Sequence, residues 1–175
     1  MPLARVLSIA GSDSGGGAGV QADIKTITML GGYAATAVTA LTVQNTTGVY
    51  GIHPVPPAFV ADQIRAVMED IGADAIKIGM LNDTSIIQAV ADTLKAYPQV
   101  PVVLDPVMVA KGGAPLLEQD ALAALHERLM PLATVITPNV PEAELLSGML
   151  LSSEEGLVNA ARHIHEKAGC KAVLV

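Results

Sequence analysis

Aromatic residues are nearly missing from this chain: there is no tryptophan, and Phe59 is the single phenylalanine. Any core must therefore be aliphatic, assembled from Val, Ile, Leu, Ala and Met. Cysteine is as scarce, with Cys170 alone, which excludes an internal disulfide framework and fits a reducing compartment. Basic residues are outnumbered: 10 Lys and Arg against 17 Asp and Glu leave a net charge of −7, which argues against a nucleic-acid partner. No apolar run reaches membrane-spanning length. The apolar run at the N-terminus is too short for a signal peptide, being broken by Arg5 and the polar loop after it. Half of the residues are apolar and only 15% are charged, so the chain is globular rather than disordered. These absences describe a soluble cytoplasmic protein with no membrane contact, and 175 residues read as one domain, 1–175.

What is present alternates regularly. Short β-branched runs stand at 5–10, 75–80, 100–105, 134–139 and 171–175, nearly continuous in hydrophobicity as strands buried on both faces should be. Helical stripes lie between them: Phe59, Val60, Ile64, Val67, Met68 and Ile71, then Ile86, Ile87, Val90, Ala91 and Leu94. Leu122, Leu125, Leu129 and Leu132 make a third stripe, and Leu157, Ala161, Ile164 and Ala168 a fourth, which Ser152 and Glu155 open as a capping box. Such alternation predicts right-handed crossovers and a mostly parallel sheet between two helical layers. Residues 33–57 differ, with two β-rich pieces and no helix between them, and read as a strand followed by an excursion at the sheet edge.

Ligands bind such sheets outside the carboxyl ends of the strands. Here those ends carry small or polar residues: GSDSGGGAG, Gln44-Asn45, Gly79-Met80, Asp105-Pro106 with Lys111-Gly112-Gly113, and Thr137-Pro138-Asn139 with Glu142. Five loops are thus expected to meet on one rim. The glycine loop fits the common nucleotide fingerprints poorly. No glycine in it is followed by lysine, and Gly17, Gly19 and Ala22 meet the dinucleotide pattern only loosely, with Gln44 where an acid belongs. Asp13 stands where a nucleophile elbow needs serine. Two readings remain: a turn that lets helix and strand pack closely, or a ligand lying against exposed amides and a helix N-terminus. His163 and His165, two apart on a helix, make a poor metal pair.

The segments IAGSDSGGGAGVQADIKT, TALTVQNTTGV, IKIGML, VLDPVMVAKGG and TPNVPEAELL resemble, in order and spacing, the hydroxymethylpyrimidine (phosphate) kinases of thiamine biosynthesis. The resemblance implies a three-layer α/β/α ribokinase-like fold with a mostly parallel central sheet. It implies ATP-dependent phosphorylation of a hydroxymethylpyrimidine and then of its monophosphate, with the pyridoxal kinases as the nearest alternative and a catalytically dead binding module as another. By the same resemblance Gln44 reads the polar edge of the pyrimidine, with Gly11 and Asp23 nearby, while Ala18, Met80 and Val107 wall the ring. Thr42 faces the same side as Gln44, although an apolar residue would suit that wall better. The nucleotide side rests on Asp105, Asn139 and Lys111, and Mg²⁺ on Glu142 and Asp105, since magnesium needs only one or two carboxylates beside phosphate. Asn139 to Glu142 equally reads as a helix start, and Lys111 as a solvated loop lysine. The expected partners are the pyrimidine, ATP and a second copy of the chain in a homodimer.

The family pattern continues past Val175 with a glycine-rich anion hole and its cysteine, so the fold is expected to be incomplete at the C-terminus and the catalytic group to lie outside these residues. On that expectation the chain by itself has little kinase activity.

Overall fold

The computed structural model describes residues 3–108 and 119–175. The expected three-layer α/β/α arrangement is present, around six parallel strands among the described residues. The first strand, β1 (Arg5–Ala10), leads through the glycine loop into α1 (Gly19–Met29) and then β2 (Tyr33–Val38). After β2 the chain leaves the sheet, as its composition predicts, for an antiparallel ribbon of β3 (Ala40–Asn45) and β4 (Gly48–Pro54) with a bulge between Val43 and Gln44. It returns through α2 (Pro57–Asp70) to β5 (Ala75–Ile78), then α3 (Thr84–Leu94) and β6 (Val102–Leu104). The remainder runs α4 (Gln119–Ala124), β7 (Val135–Ile136), α5 (Val140–Ser147), α6 (Glu154–Ala168) and β8 (Ala172–Val173). The strand order is β2-β1-β5-β6-β7-β8.

The core is aliphatic, as the missing aromatics require. Leu7 and Ile9 of β1, Ile76 and Ile78 of β5, and Leu104 of β6 are shielded from solvent by α2 and α3 residues such as Ile64, Ile86, Ile87 and Val90. Asp83 caps α3 by accepting from the Ile86 amide at 3.0 Å, which satisfies one of the helix's orphan donors. The third stripe continues beyond α4: the helix widens to a π turn over Leu125–Leu129 and then tightens over Met130–Leu132, with Leu125 and Leu129 buried.

Two local expectations are corrected. Phe59 is 61% exposed rather than part of the buried stripe; it lies in the first turn of α2 and the buried face begins with Val60. Ser153, not Ser152, caps α6, accepting from the Gly156 amide at 3.1 Å. The capping box belongs to α5 instead, between Asn139 and Glu142.

Candidate active site

Eight of the residues expected at the site line one cavity of about 470 Å³ at the carboxyl ends of β1, β5 and β6: Gly11, Ala18, Asp23, Thr42, Gln44, Met80, Asp105 and Val107. The volume is that of a small-molecule pocket. The β3–β4 ribbon forms one wall. It is stitched to the glycine loop by alternate side chains: the Thr42 amide donates to Ser12 Oγ at 3.0 Å and the Gln44 amide to Ser14 Oγ at 2.8 Å. Ser14 Oγ in turn donates to the Gln44 carbonyl at 2.7 Å. Thr42 Oγ1 donates to the Ser12 carbonyl at 2.9 Å, so its hydroxyl is engaged in the wall. The Gln44 side chain is half-buried and its amide has no hydrogen-bond partner among the described residues.

The glycine loop shows how part of its backbone is used. Three of its backbone amides enclose the loop's own carboxylate. Gly15 N–H donates to Asp13 Oδ1 at 2.8 Å, while Gly17 and Ala18 donate to Oδ2 at 2.9 and 2.8 Å. Burial alone would raise the Asp13 carboxyl, but these amides, with that of Gly16, outweigh it and hold it below the usual carboxylate range. Gly19 answers to packing. It has φ +55°, and a Cβ there would stand 2.3 Å from the Gly11 carbonyl oxygen, so only glycine lets α1 start this close to β1. The close-packing reading therefore holds at Gly19, while the amides of Gly15, Gly17 and Ala18 are taken up by Asp13.

On the opposite side Asp105 extends from the end of β6. Burial pushes its carboxyl up, Lys77 opposes this, and Asp23 adds to the rise. Lys77 Nζ lies 3.2 Å from Asp23 and 3.6 Å from Asp105. Ser8 Oγ donates to Asp23 Oδ2 at 2.6 Å. Behind this cluster Glu142, 3% exposed, accepts from Met108 N–H at 3.3 Å and Asn139 N–H at 2.9 Å. Asn139 Oδ1 accepts from the Glu142 amide at 3.0 Å. The helix-start reading of this pair holds, and it also ties α5 to the loop after β6. Burial raises the Glu142 carboxyl against those hydrogen bonds, with Asp105 contributing. Lys111 lies outside the described residues.

This arrangement has close counterparts. The family model for phosphomethylpyrimidine kinase matches residues 13–175. The chain belongs to the phosphomethylpyrimidine kinase family. Within it, the hydroxymethylpyrimidine/phosphomethylpyrimidine kinase of Haemophilus influenzae is 51% identical over 98% of this chain and 63% of its own length. The thiamine biosynthesis bifunctional protein of Geobacter sulfurreducens is 56% identical over 99% of this chain and 35% of its own. The chain thus spans between about a third and two thirds of these relatives. The crystal structure of a phosphomethylpyrimidine kinase from Clostridium difficile superposes with a TM-score of 0.88 at 41% identity, covering 94% of this chain and 71% of that one. A Staphylococcus aureus pyridoxal kinase in complex with pyridoxal gives 0.85 at 39%, covering 95% and 61%.

Two residues of this phosphomethylpyrimidine kinase family member escaped the sequence reading. Asp13 was visible only as a failed nucleophile, although an aspartate followed by glycines signals a side chain that folds back onto its own loop. Lys77 sits in AIKIGM, a charge inside an otherwise apolar strand, and such a residue needs a partner.

Proposed function

We propose that the chain carries the substrate pocket of an ATP-dependent kinase that phosphorylates hydroxymethylpyrimidine and then its monophosphate. One observation carries this reading: the Gln44 side-chain carboxamide has no partner among the described residues, and Gln44 lines the same cavity as Gly11, Ala18, Met80 and Val107. A carboxamide offers a donor and an acceptor side by side, which is what the edge of an aminopyrimidine requires. Met80 and Val107 supply apolar contact for a flat ring, and Thr42, its hydroxyl engaged by the Ser12 carbonyl, lines the same cavity. Asp23 lies beside this subsite.

Asp105 faces the nucleotide in this reading. Its side chain is 37% exposed and Lys77 is its one charged partner among the described residues, so it fits a magnesium ligand. Glu142 fits behind it, with both oxygens engaged by backbone amides, holding the loop that carries Asp105. Magnesium when bound supplies neutralisation of phosphate charge. Asn139, whose oxygen caps α5, leaves its amide nitrogen for a phosphate oxygen, and Lys111 is assigned to phosphate as well. The acidic charge and single cysteine suit a cytoplasmic enzyme, and the same reading takes the working form to be a homodimer.

Pyridoxal is the competing substrate, favoured by the similarity to the Staphylococcus aureus pyridoxal kinase. Calorimetry with each ligand separates the two. Saturable binding of hydroxymethylpyrimidine, tighter than that of pyridoxal, is expected; tighter pyridoxal binding would overturn the assignment.

A further inference from the structure

We propose that Lys77 is a positioning residue that couples the two halves of the site, tying the carboxylate beside the pyrimidine to the one that faces the nucleotide. The inference rests on the kinase reading above but concerns a residue to which that reading gives no role of its own. Lys77 lies mid-sheet: on β5 it pairs with Ser8 of β1 on one side and Val103 of β6 on the other. A lysine at the centre of a parallel sheet is unfavourable unless its charge is met. Here it is met twice, by Asp23 on α1 and by Asp105 after β6. Asp23 is also held from behind by Ser8 Oγ. Among the described residues Lys77 is the only cationic side chain lining the cavity. A movement of Asp105 toward a nucleotide-bound cation therefore changes what Asp23 has to balance, and the reverse.

The path of the lysine is built into the strand. Gly79, two residues on and on the same face, leaves the space its ammonium fills: a Cβ at Gly79 would stand 2.9 Å from Lys77 Nζ and 3.1 Å from the Ala10 Cβ. The nearest obstacle is the tip of a flexible side chain and Gly79 has no left-handed backbone. Gly79→Ala therefore displaces the ammonium and keeps the formal charge, at the cost of a shift of a few tenths of an ångström against the Ala10 Cβ.

The test measures hydroxymethylpyrimidine affinity by calorimetry in the parent chain, K77M, K77R and G79A, each also carrying D105N. K77M is expected to weaken binding roughly ten-fold, equivalent to about 1.4 kcal/mol. G79A should weaken it in the same direction, and K77R should recover most of the loss. The decisive readout is coupling, which a purely structural lysine would not give. D105N should change pyrimidine affinity in the parent but leave it unaltered in K77M. An equal effect of D105N in both backgrounds, or K77M and G79A binding like the parent, would overturn the coupling alone. Should K77M not fold, the same comparison in G79A decides. No pyrimidine binding by the parent would overturn the proposed function, and the coupling with it.

Discussion

Two aspartates stand at strand ends on the same rim and have opposite fates. Asp13 is 4% exposed and surrounded by the amides of its own loop. Asp105 is half-buried, no backbone amide of the described residues reaches its carboxylate, and its pKa is displaced the other way. A carboxylate satisfied by neighbouring amides is a structural anion, fixing a loop as a phosphate would fix a nucleotide-binding one. A carboxylate left with a single lysine is held short of its full set of partners. The difference separates the part of the rim that shapes the pocket from the part left open to chemistry, and it arises from local sequence: glycines follow Asp13, whereas Pro106, which has no amide hydrogen, follows Asp105.

The comparison is broken most sharply by removing each acid in turn. In a chain extended to the full length of its relatives, Asp105→Asn should lower phosphoryl transfer by roughly 10²–10³-fold, the scale for losing one group that acts on transition-state charge. Its stability in urea should change by less than about 1 kcal/mol, because the burial that raises the Asp105 carboxyl already disfavours the ionised form. Asp13→Ala should do the reverse first: a loss of roughly 2–3 kcal/mol in urea unfolding, from several charge-assisted hydrogen bonds lost together. The parent should also lose this stabilisation in acid. The folded pKa of Asp13 is depressed, so its contribution is complete above the unfolded value of about 3.9 and disappears as pH falls through the lower folded value. A melting-temperature series below pH 5 should therefore be flatter in the variant. Glu142→Gln tests whether a backing residue resembles Asp13 or Asp105. It should destabilise by about 1–2 kcal/mol, since one of two amides loses its acceptor, leave pyrimidine affinity intact, and raise the magnesium requirement in a chain extended to the full length of its relatives. The smallest effect is expected for Gln44→Ala, about 1 kcal/mol of pyrimidine binding by calorimetry, because the amide is only half-buried and water replaces part of the contact. Unchanged affinity would remove Gln44 from the site.

Much of this was legible in the residues. Continuous apolar strands and 3.6-residue stripes imply the parallel three-layer fold, and the polar strand ends imply the rim, because both follow from burial. Other features were not legible for a common reason: they depend on where a side chain ends rather than where it begins. Asp13 and Lys77 act through atoms that fold back or reach across the sheet, and spacing in sequence does not encode that. The place of Phe59 depends on how the first turn of α2 rotates, which one residue of phase decides. Ser152 and Ser153 are neighbours with equal capping chemistry, and the helix begins after the second.

The stitching of β3 to the glycine loop has a dynamic consequence. Thr42 and Gln44 take Ser12 and Ser14 as partners where a strand would offer a continuous backbone ladder. Hydroxyl rungs are few and the one at Gln44 is exposed, so this seam should open at lower free energy than the central sheet, and both sides of it should open together. In amide hydrogen exchange, Thr42 and Gln44 should lose protection in step with the loop and well before Ile9 or Ile78. Such an opening would let a flat molecule enter a cavity whose floor stays rigid.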